Sequence, residues 1–165
     1  MQAIEEIKRL TISPSRLVGR VEISGAKNSA LRLLAASLLT NEKVEIDNFP
    51  DGILDGKIHI EMLQQLGKNC QVENRKIVIT EGKRPSSCLD WTGRSIRNTL
   101  LILGALTARN GQGAVPLPGG CQLGDRKYDI HEMLLKKLGA EVWVEGNKLC
   151  AETKSGFKGT DIYLP

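Results

Sequence analysis

The sequence predicts a mixed α/β fold in which one arrangement of helices and strands occurs twice. The first observation behind this prediction is a repeat at a spacing of about 72 residues, the kind of self-similarity that marks a duplicated unit. Leu66-Gly67 corresponds to Leu138-Gly139, and Val72-Glu73 corresponds to Val144-Glu145. The second observation is that each copy opens with a helical segment that is apolar nearly all round. The third is that each copy closes with a hairpin.

The two apolar segments cover residues 28–39 and 98–108. A helix without a polar face belongs inside a domain, so we expect both helices to be buried. In each copy a short strand follows, and then a second helix that carries charges on one side and ends at a glycine. These second helices should lie nearer the surface. The strands are predicted at residues 44–46 and 114–117, and the second helices at about 56–66 and 128–138.

Each closing hairpin is predicted from two strand-like runs around a two-residue turn. The turns are Asn74-Arg75 in the first copy and Gly146-Asn147 in the second. The paired strands are predicted at residues 71–73 and 76–79, and at residues 141–145 and 148–150.

Further strands are predicted on either side of the two copies. Residues 8–12 and 19–24 form two leading strands, and residues 159–165 look like 19–24 again, which suggests that a third unit begins there. We therefore divide the chain into leading strands, two repeat units and the start of a third, all within a single incomplete domain. An open strand edge invites pairing with another chain, so we expect self-association. The boundaries are residues 1–24, 25–82, 83–155 and 156–165.

Composition and charge narrow the class of protein. The chain has 165 residues, of which 41% are hydrophobic and 25% charged, as is ordinary for a soluble globular domain. The net charge of +4 is spread along the sequence without a basic block, so nucleic acid is a poor expectation and small anionic ligands fit better. No apolar stretch is long enough to span a membrane, and the first residues lack a signal-peptide pattern, so we expect a cytoplasmic protein.

The cysteine spacing indicates neither a metal site nor a disulfide framework. The four cysteines are widely separated, and only His59 and His131 are available as imidazole partners. Cys70 and Cys150 fall in strand-like runs and are expected to be packed. We therefore expect no metal ion and no cofactor.

Cys121 stands out because it sits in a glycine-rich loop over residues 118–126, five positions before Arg126. Glycines allow a ligand to approach the backbone closely. Arg126 could lower the pKa of the thiol and could also hold a carboxylate or phosphate in its planar fork. The loop therefore could carry a reactive group and an anion clamp. The alternative from these residues alone is an ordinary surface loop with an incidental cysteine.

Two helix starts could also bind an anion. Residues 24–28 lead from a strand into the first apolar helix, whose N-terminal N–H groups attract anions, and Lys27 adds a full charge. Arg94 and Arg97 stand at the corresponding start in the second copy, where cations oppose the helix dipole unless an anion or a carboxylate such as Asp90 compensates. If these starts face a common surface, they define with Cys121 one site for a ligand that carries more than one negative charge. A solvated lysine in a common strand-to-helix turn is the alternative at Lys27.

Together these residues resemble the enolpyruvyl transferase family, and within it the enzymes that use UDP-N-acetylglucosamine as the acceptor. The resemblance covers nearly the whole chain. It implies the inside-out α/β barrel of that family, built from βαβαββ units, three per domain, of which about two are present here. The motifs that carry it are residues 24–31, Arg97 before an apolar helix, residues 117–121, and the pattern Gly124-x-Arg126-x-x-Asp129-x-His131.

The resemblance implies transfer of the enolpyruvyl group of phosphoenolpyruvate to the 3-hydroxyl of UDP-N-acetylglucosamine, with release of phosphate, in peptidoglycan precursor synthesis. Cys121 would protonate the methylene carbon of phosphoenolpyruvate and would be the thiol that fosfomycin alkylates. Lys27, Arg97 and Arg126 would hold the phosphate and carboxylate of phosphoenolpyruvate. These four residues are the predicted catalytic set.

The resemblance further assigns substrate binding to four residues. Asn28 would contact the amino sugar, and the segment around Asp129 would meet the uracil. Arg94 and His131 complete this set.

Two departures from the family pattern leave alternatives open. Asp125 and Lys127 flank the loop arginine where the family has alanine or proline before it and proline after it. The related enzymes are also roughly two and a half times longer. We therefore expect the chain to be the N-terminal part of such an enzyme and inactive in isolation. The alternatives are a paralogue with another acceptor and a non-catalytic module that binds anions or nucleotide sugars.

Overall fold

The computed structural model describes residues 11–94, 96–118 and 127–164. The helices and strands alternate in the order that the sequence predicts. Helix α1 continues into a 3-10 turn at Ser37–Leu39. The elements are α1 Lys27–Ala36, β1 Val44–Ile46, α2 Leu54–Gln65, β2 Lys68–Glu73, β3 Lys76–Glu81, α3 Thr99–Asn110, β4 Gln112–Pro116, α4 Asp129–Lys137, β5 Glu141–Glu145 and β6 Lys148–Glu152.

The strands form two antiparallel three-stranded sheets with the same topology. The first has the order β1-β3-β2 and the second the order β4-β6-β5. In both sheets the last strand of the unit lies in the centre, with Ile46 opposite Ile77 in the first and Val115 opposite Leu149 in the second. The duplicated α/β architecture is therefore confirmed, and the described residues contain two units and no closed barrel. The domain boundaries drawn from the sequence stay a prediction.

Both predicted hairpins form, and their turns use left-handed backbone at the positions that a two-residue turn requires. Asn74 and Arg75 have φ values of 49° and 59°, as a type I′ turn requires of its two central residues. In the second hairpin Gly146 takes the positive φ of 58° at the first turn position. These turns set the register in which Glu73 pairs with Lys76 and Glu145 with Lys148.

The apolar helices differ in burial. Helix α3 is buried on nearly every side, as predicted, and packs against α1, the 3-10 turn and strands β4 and β6. Helix α1 is buried on one face only, so the prediction of full burial is wrong there. Leu33 is 46% exposed and Leu39 is 52% exposed, because within the described residues α1 is covered mainly by α2 and α3. Helix α4 lies nearer the surface than α3, as expected. Helix α2 is buried as much as α1, with five of twelve residues buried against four of ten, so the prediction is wrong for α2.

The flanking strands predicted at both ends are not formed in the residues that the structure describes. Residues 19–24 and 159–164 take no strand conformation, so these two predictions are wrong for the described positions. A strand is held by ladder hydrogen bonds to a neighbour, and here neither segment lies along a sheet edge. Val21 and Ile23 therefore remain exposed. Most of the strand predicted at residues 8–12 lies outside the described residues.

A partly buried ion network joins the two units. The Lys68 side chain is only 2% exposed, and its Nζ donates to the Thr40 carbonyl and to Glu81 Oε2, each at 2.6 Å. Arg109 at the end of α3 donates from Nη1 to the same carboxylate oxygen at 3.2 Å and to the Leu38 carbonyl at 3.1 Å. Burial opposes ionisation of Glu81, but these two cations outweigh it and hold its pKa below the ordinary value.

His59 on α2 is a polar side chain in the core. It is fully buried, and neither ring nitrogen has a hydrogen-bond partner. Burial lowers the pKa of His59 from 6.5 to about 4, because the charged ring would have no solvation. The imidazole is therefore neutral in the folded protein at pH 7 and acts as a packing group.

None of the helices within residues 11–94, 96–118 and 127–164 combines the length and apolar character that crossing a bilayer requires.

His59 should make the folded state sensitive to mild acid. Its pKa is lower in the folded state, so between pH 6.5 and about pH 4 the unfolded chain binds a proton that the folded chain does not. The free energy of unfolding therefore decreases as the pH falls through that interval. His59→Leu removes this contribution. Urea unfolding should show the stability of the parent falling relative to that of the variant by roughly 3 kcal/mol between pH 7.5 and pH 4.

His131→Leu is the matched control, because this ring is partly exposed and its substitution should change the pH profile much less. A constant difference between the parent and His59→Leu across the pH range would contradict the buried, unpaired imidazole.

Candidate functional site

The start of α1 is fixed by contacts with the β1–α2 connection and the first hairpin turn. The Gly25 N–H donates to the Asn48 carbonyl at 3.0 Å, and a Cβ at Gly25 would collide with that same oxygen. Only glycine fits this approach. The Arg75 guanidinium donates to the Asn48 side-chain oxygen and to the Ile23 carbonyl, the latter at 3.3 Å. The backbone that leads into the helix is therefore held from two sides.

The first turn of α1 retains the properties of an anion site. Ala26 occupies the N-cap and supplies no side-chain cap, so the N-terminal N–H groups are left for solvent or a ligand. Asn28 is exposed on this turn, and its backbone carbonyl accepts from Arg32 Nη1 at 2.8 Å. Lys27, the first helical residue, adds its ammonium at the same place.

Asp55 pairs with Lys27, a contact that the sequence did not reveal. Asp55 lies in the first turn of α2, and its carboxylate contacts the Lys27 ammonium, with side-chain exposures of 25% and 50%. An exposed pair of this kind contributes little to stability. An incoming anion could therefore compete with the carboxylate for Lys27 at modest cost. An acidic residue is favoured in the first turn of a helix, so the sequence accounts for Asp55 without any reference to Lys27. Only tertiary packing brings the two residues together.

Arg97 precedes α3 and contacts the segment that follows the glycine-rich loop. Its Nη2 donates to the Lys127 carbonyl at 2.5 Å. Upstream, the Trp91 indole N–H donates to the Arg94 carbonyl at 2.9 Å, and Ile96 is buried, so the backbone before α3 is anchored. Arg94 itself is exposed.

His131 and Asp129, at the start of α4, lie close to Arg97. Burial lowers the pKa of His131, the Arg97 charge lowers it further, and Asp129 opposes both effects. Arg97 also donates to the Lys127 carbonyl, so it lies beside the start of α4, which carries Asp129 and His131. The structure therefore brings together three of the predicted site residues, Arg97, Asp129 and His131.

Cys121 and Arg126 lie outside the described residues, so their roles stay predictions. The two ends of their loop are described. The Leu117 N–H donates to the Asn147 carbonyl at 3.0 Å on one side, and Lys127 is held by Arg97 on the other. One end of the loop is thus attached to the second hairpin turn and the other to the start of α3.

Asp90 does not pair with the arginines before α3, which was one possibility that the sequence left open; it pairs with Lys148. Its carboxylate contacts the ammonium of Lys148 on β6, which directs it toward the second sheet. Hydrogen bonding to Lys148 holds the pKa of Asp90 below its ordinary value. At the start of α3, Arg97 instead donates a hydrogen bond to a backbone carbonyl, that of Lys127.

Residues 12–164 match the family described as EPSP synthase (3-phosphoshikimate 1-carboxyvinyltransferase), which is nearly the whole chain. The chain belongs to this family. Two solved structures share its fold, although each is only 20% identical in sequence. The enolpyruvyl transferase NikO from Streptomyces tendae aligns with a TM-score of 0.66 over 84% of this chain and 31% of its own. EPSP synthase from Acinetobacter baumannii aligns with a TM-score of 0.60 over 86% of this chain and 33% of its own.

Several curated relatives within the family carry the same protein name. The UDP-N-acetylglucosamine 1-carboxyvinyltransferase of a Nitratiruptor species is 39% identical over 88% of this chain, and that of Helicobacter hepaticus is 41% identical over 93%. The protein of the same name from Blochmanniella floridana is 42% identical over 92%. The chain covers 35%, 37% and 36% of these three relatives. It therefore spans little more than a third of their length.

The approach of Arg97 to His131 can be tested by NMR titration. Arg97→Gln should raise the pKa of His131, because the variant removes a positive charge that disfavours the imidazolium. Arg94→Gln is the matched control and should leave the His131 titration in place. The other histidine, His59, should titrate lower, near its pKa of about 4, in all three proteins. An unchanged His131 pKa in Arg97→Gln would contradict the arrangement.

Proposed function

We propose that this chain is the N-terminal part of an enzyme that transfers the enolpyruvyl group of phosphoenolpyruvate to the 3-hydroxyl of UDP-N-acetylglucosamine and releases phosphate. In this proposal it serves peptidoglycan precursor synthesis in the cytoplasm. The observation that carries the proposal is identity of about 40% to curated enzymes named for this acceptor, over about nine-tenths of the chain. The positively charged residues at the starts of α1 and α3 also support the proposal, because they are suited to bind an anionic substrate.

The anion-binding groups suit the two acidic ends of phosphoenolpyruvate. Lys27 sits on a helix start whose N–H groups and dipole favour an anion. Arg97 offers a planar fork that fits a carboxylate or phosphate, and we assign Arg126 the same task. Positive groups that already point at the phosphate stabilise the charge that grows on it as it leaves. We therefore propose that Lys27, Arg97 and Arg126 bind the phosphate and carboxylate of phosphoenolpyruvate.

Cys121 supplies the proton in the proposed reaction. The sugar hydroxyl adds to the central carbon of phosphoenolpyruvate while the Cys121 thiol protonates the methylene carbon, which gives a tetrahedral intermediate. Loss of phosphate and of one proton from the resulting methyl group restores the vinyl ether. A thiol with an ordinary pKa of about 8.5 can be tuned by nearby cations for such a transfer. The same nucleophilic sulfur would open the epoxide of fosfomycin.

We assign the sugar nucleotide to the surface between the two helix starts. Asn28 is exposed next to Lys27 and can hydrogen-bond the N-acetyl sugar. Asp129 and His131 lie beside Arg97 and are proposed to meet the uracil end, with Arg94 nearby on the exposed backbone before α3. In this proposal the substrates lie between the start of α1 and the start of α3.

The chain should bind substrate without completing the reaction alone. It spans little more than a third of its relatives, and we propose that the base for the sugar hydroxyl belongs to the remaining part of the enzyme. The predicted self-association belongs to this proposal too, since β1, β2 and β5 are edge strands to which another chain could pair.

A second candidate is a paralogue that uses another acceptor. It is favoured by Asp125 and Lys127, which depart from the family pattern on both sides of Arg126. Asp125 could pair with Arg126 and weaken its hold on an anion. In that case the chemistry at Cys121 would persist while the preference for UDP-N-acetylglucosamine would be lost.

Alkylation by fosfomycin distinguishes these possibilities. We expect one fosfomycin adduct per chain, located at Cys121 by peptide mass spectrometry and formed faster when UDP-N-acetylglucosamine is present. Cys121→Ser should abolish the adduct, and Cys88→Ser should retain it as the matched control. Acceleration by another nucleotide sugar alone would support the paralogue. No adduct at Cys121 under any of these conditions would favour a non-catalytic module and would overturn the proposal.

A further inference from the structure

A second thiol, outside the candidate site, contacts an ammonium group. Lys148 Nζ on β6 lies 3.0 Å from Cys88 Sγ and also contacts the Asp90 carboxylate. Cys88 Sγ is 3.9 Å from Asp90 Oδ1. A thiol, a cation and a carboxylate thus form one cluster, which we call the Cys88 cluster, at the surface of the second sheet.

The backbone holds Cys88 in this position. The segment before α3 extends the second sheet through a parallel bridge between Cys88 and Ala114. The Leu89 N–H donates to the Ala114 carbonyl, and the Ala114 N–H donates to the Ser87 carbonyl, both at 2.9 Å. Leu89 is fully buried and anchors the segment. The sulfur therefore stays beside Lys148 instead of sampling solvent on a loose loop.

The cluster places a fixed positive charge beside the sulfur. Hydrogen bonds from Lys148 to Asp90 and then to Cys88 hold the pKa of Lys148 above its ordinary value, so the ammonium stays charged. The thiolate is the reactive form of cysteine, and a neighbouring cation stabilises a sulfur anion. Cys88 is partly exposed, so a small reagent can reach it.

The other cysteines that the structure describes differ from Cys88. Burial raises the pKa of Cys70 to about 11, and burial also raises the pKa of Cys150. Both thiols are therefore held in their unreactive form at neutral pH. They provide internal controls for any test of Cys88.

Cys150 is not in register to form a disulfide with an oxidised Cys88. Cys88 pairs with Ala114, and Ala114 pairs with Cys150 on the next strand, so two strand spacings separate the cysteines. That separation is about 9.5 Å between backbones, whereas a disulfide spans at most about 7 Å between Cα atoms. Oxidation of Cys88 should therefore stop at a sulfur–oxygen product instead of closing a disulfide to Cys150.

We propose that Cys88 is a modification site at which a hydroperoxide converts the thiolate to a sulfenic acid. The sulfur attacks one peroxide oxygen, an S–O bond forms and the O–O bond breaks. The departing hydroxide or alkoxide takes up the proton that the thiol released when it ionised, which gives water or an alcohol; sulfur is oxidised by two electrons and the peroxide is reduced by two. Lys148 stabilises the attacking anion, and Asp90 opposes it by drawing the ammonium away and by its own negative charge.

The test uses the whole chain, hydrogen peroxide and a cyclic 1,3-diketone that traps sulfenic acid as a thioether, with labelling rates measured on each cysteine peptide by mass spectrometry. Lys148→Met should slow labelling of Cys88 several-fold, and Lys148→Arg should retain much of the parent rate. Asp90→Asn should increase the rate. Labelling of Cys70 and Cys150 should stay well below that of Cys88 in every protein.

The opposite effects of Lys148→Met and Asp90→Asn separate electrostatic activation from a loss of local structure, which would speed labelling in both variants. Matching circular dichroism spectra and unfolding midpoints check that each variant folds. Equal rates in the parent and Lys148→Met, or changes of the same sign in both variants, would overturn the proposal. So would labelling of Cys150 that is as fast as labelling of Cys88.

Discussion

The burial of α3 is the constraint on which the rest of the structure depends. Its sequence is apolar on nearly every side, so it must be covered from all directions. The first unit contributes α1 and its 3-10 turn, and the second contributes β4 and β6. At the far end, Arg109 ties the helix to the partly buried Glu81–Lys68 pair of the first sheet. The two units therefore share one core and are joined by one partly buried ion network.

A fixed α3 also fixes the groups at its start. Arg97 stands where the helix begins and reaches the Lys127 carbonyl, so it links the helix to the segment that carries Asp129 and His131. The start of α1 is held independently by Asn48 and Arg75. Lys27 and Arg97, two of the cations proposed to bind phosphoenolpyruvate, are thus mounted on a packed core.

Local chemistry explains which features the sequence could predict. Asparagine and glycine accept positive φ, so the hairpin turns could be predicted from Asn74 and Gly146, whereas Arg75 takes a positive φ that its residue type does not favour. The segments at residues 19–24 and 159–164 have strand-like composition, but a strand also requires a neighbour, which composition does not reveal. The exposed face of α1 and the pairing of Lys27 with Asp55 depend on packing in the same way. Cys121 could be found only from its loop motif and the family resemblance.

The central claim is that the starts of α1 and α3 serve one small acidic ligand. It is tested most directly by titrating phosphoenolpyruvate into isotope-labelled protein and following the amide signals of Lys27 and Asn28 together with the guanidinium signal of Arg97. We predict that all of them shift along one saturation curve, and that Lys27→Met weakens the response at both helix starts. Shifts at one helix start only, or two separate binding constants, would contradict the account.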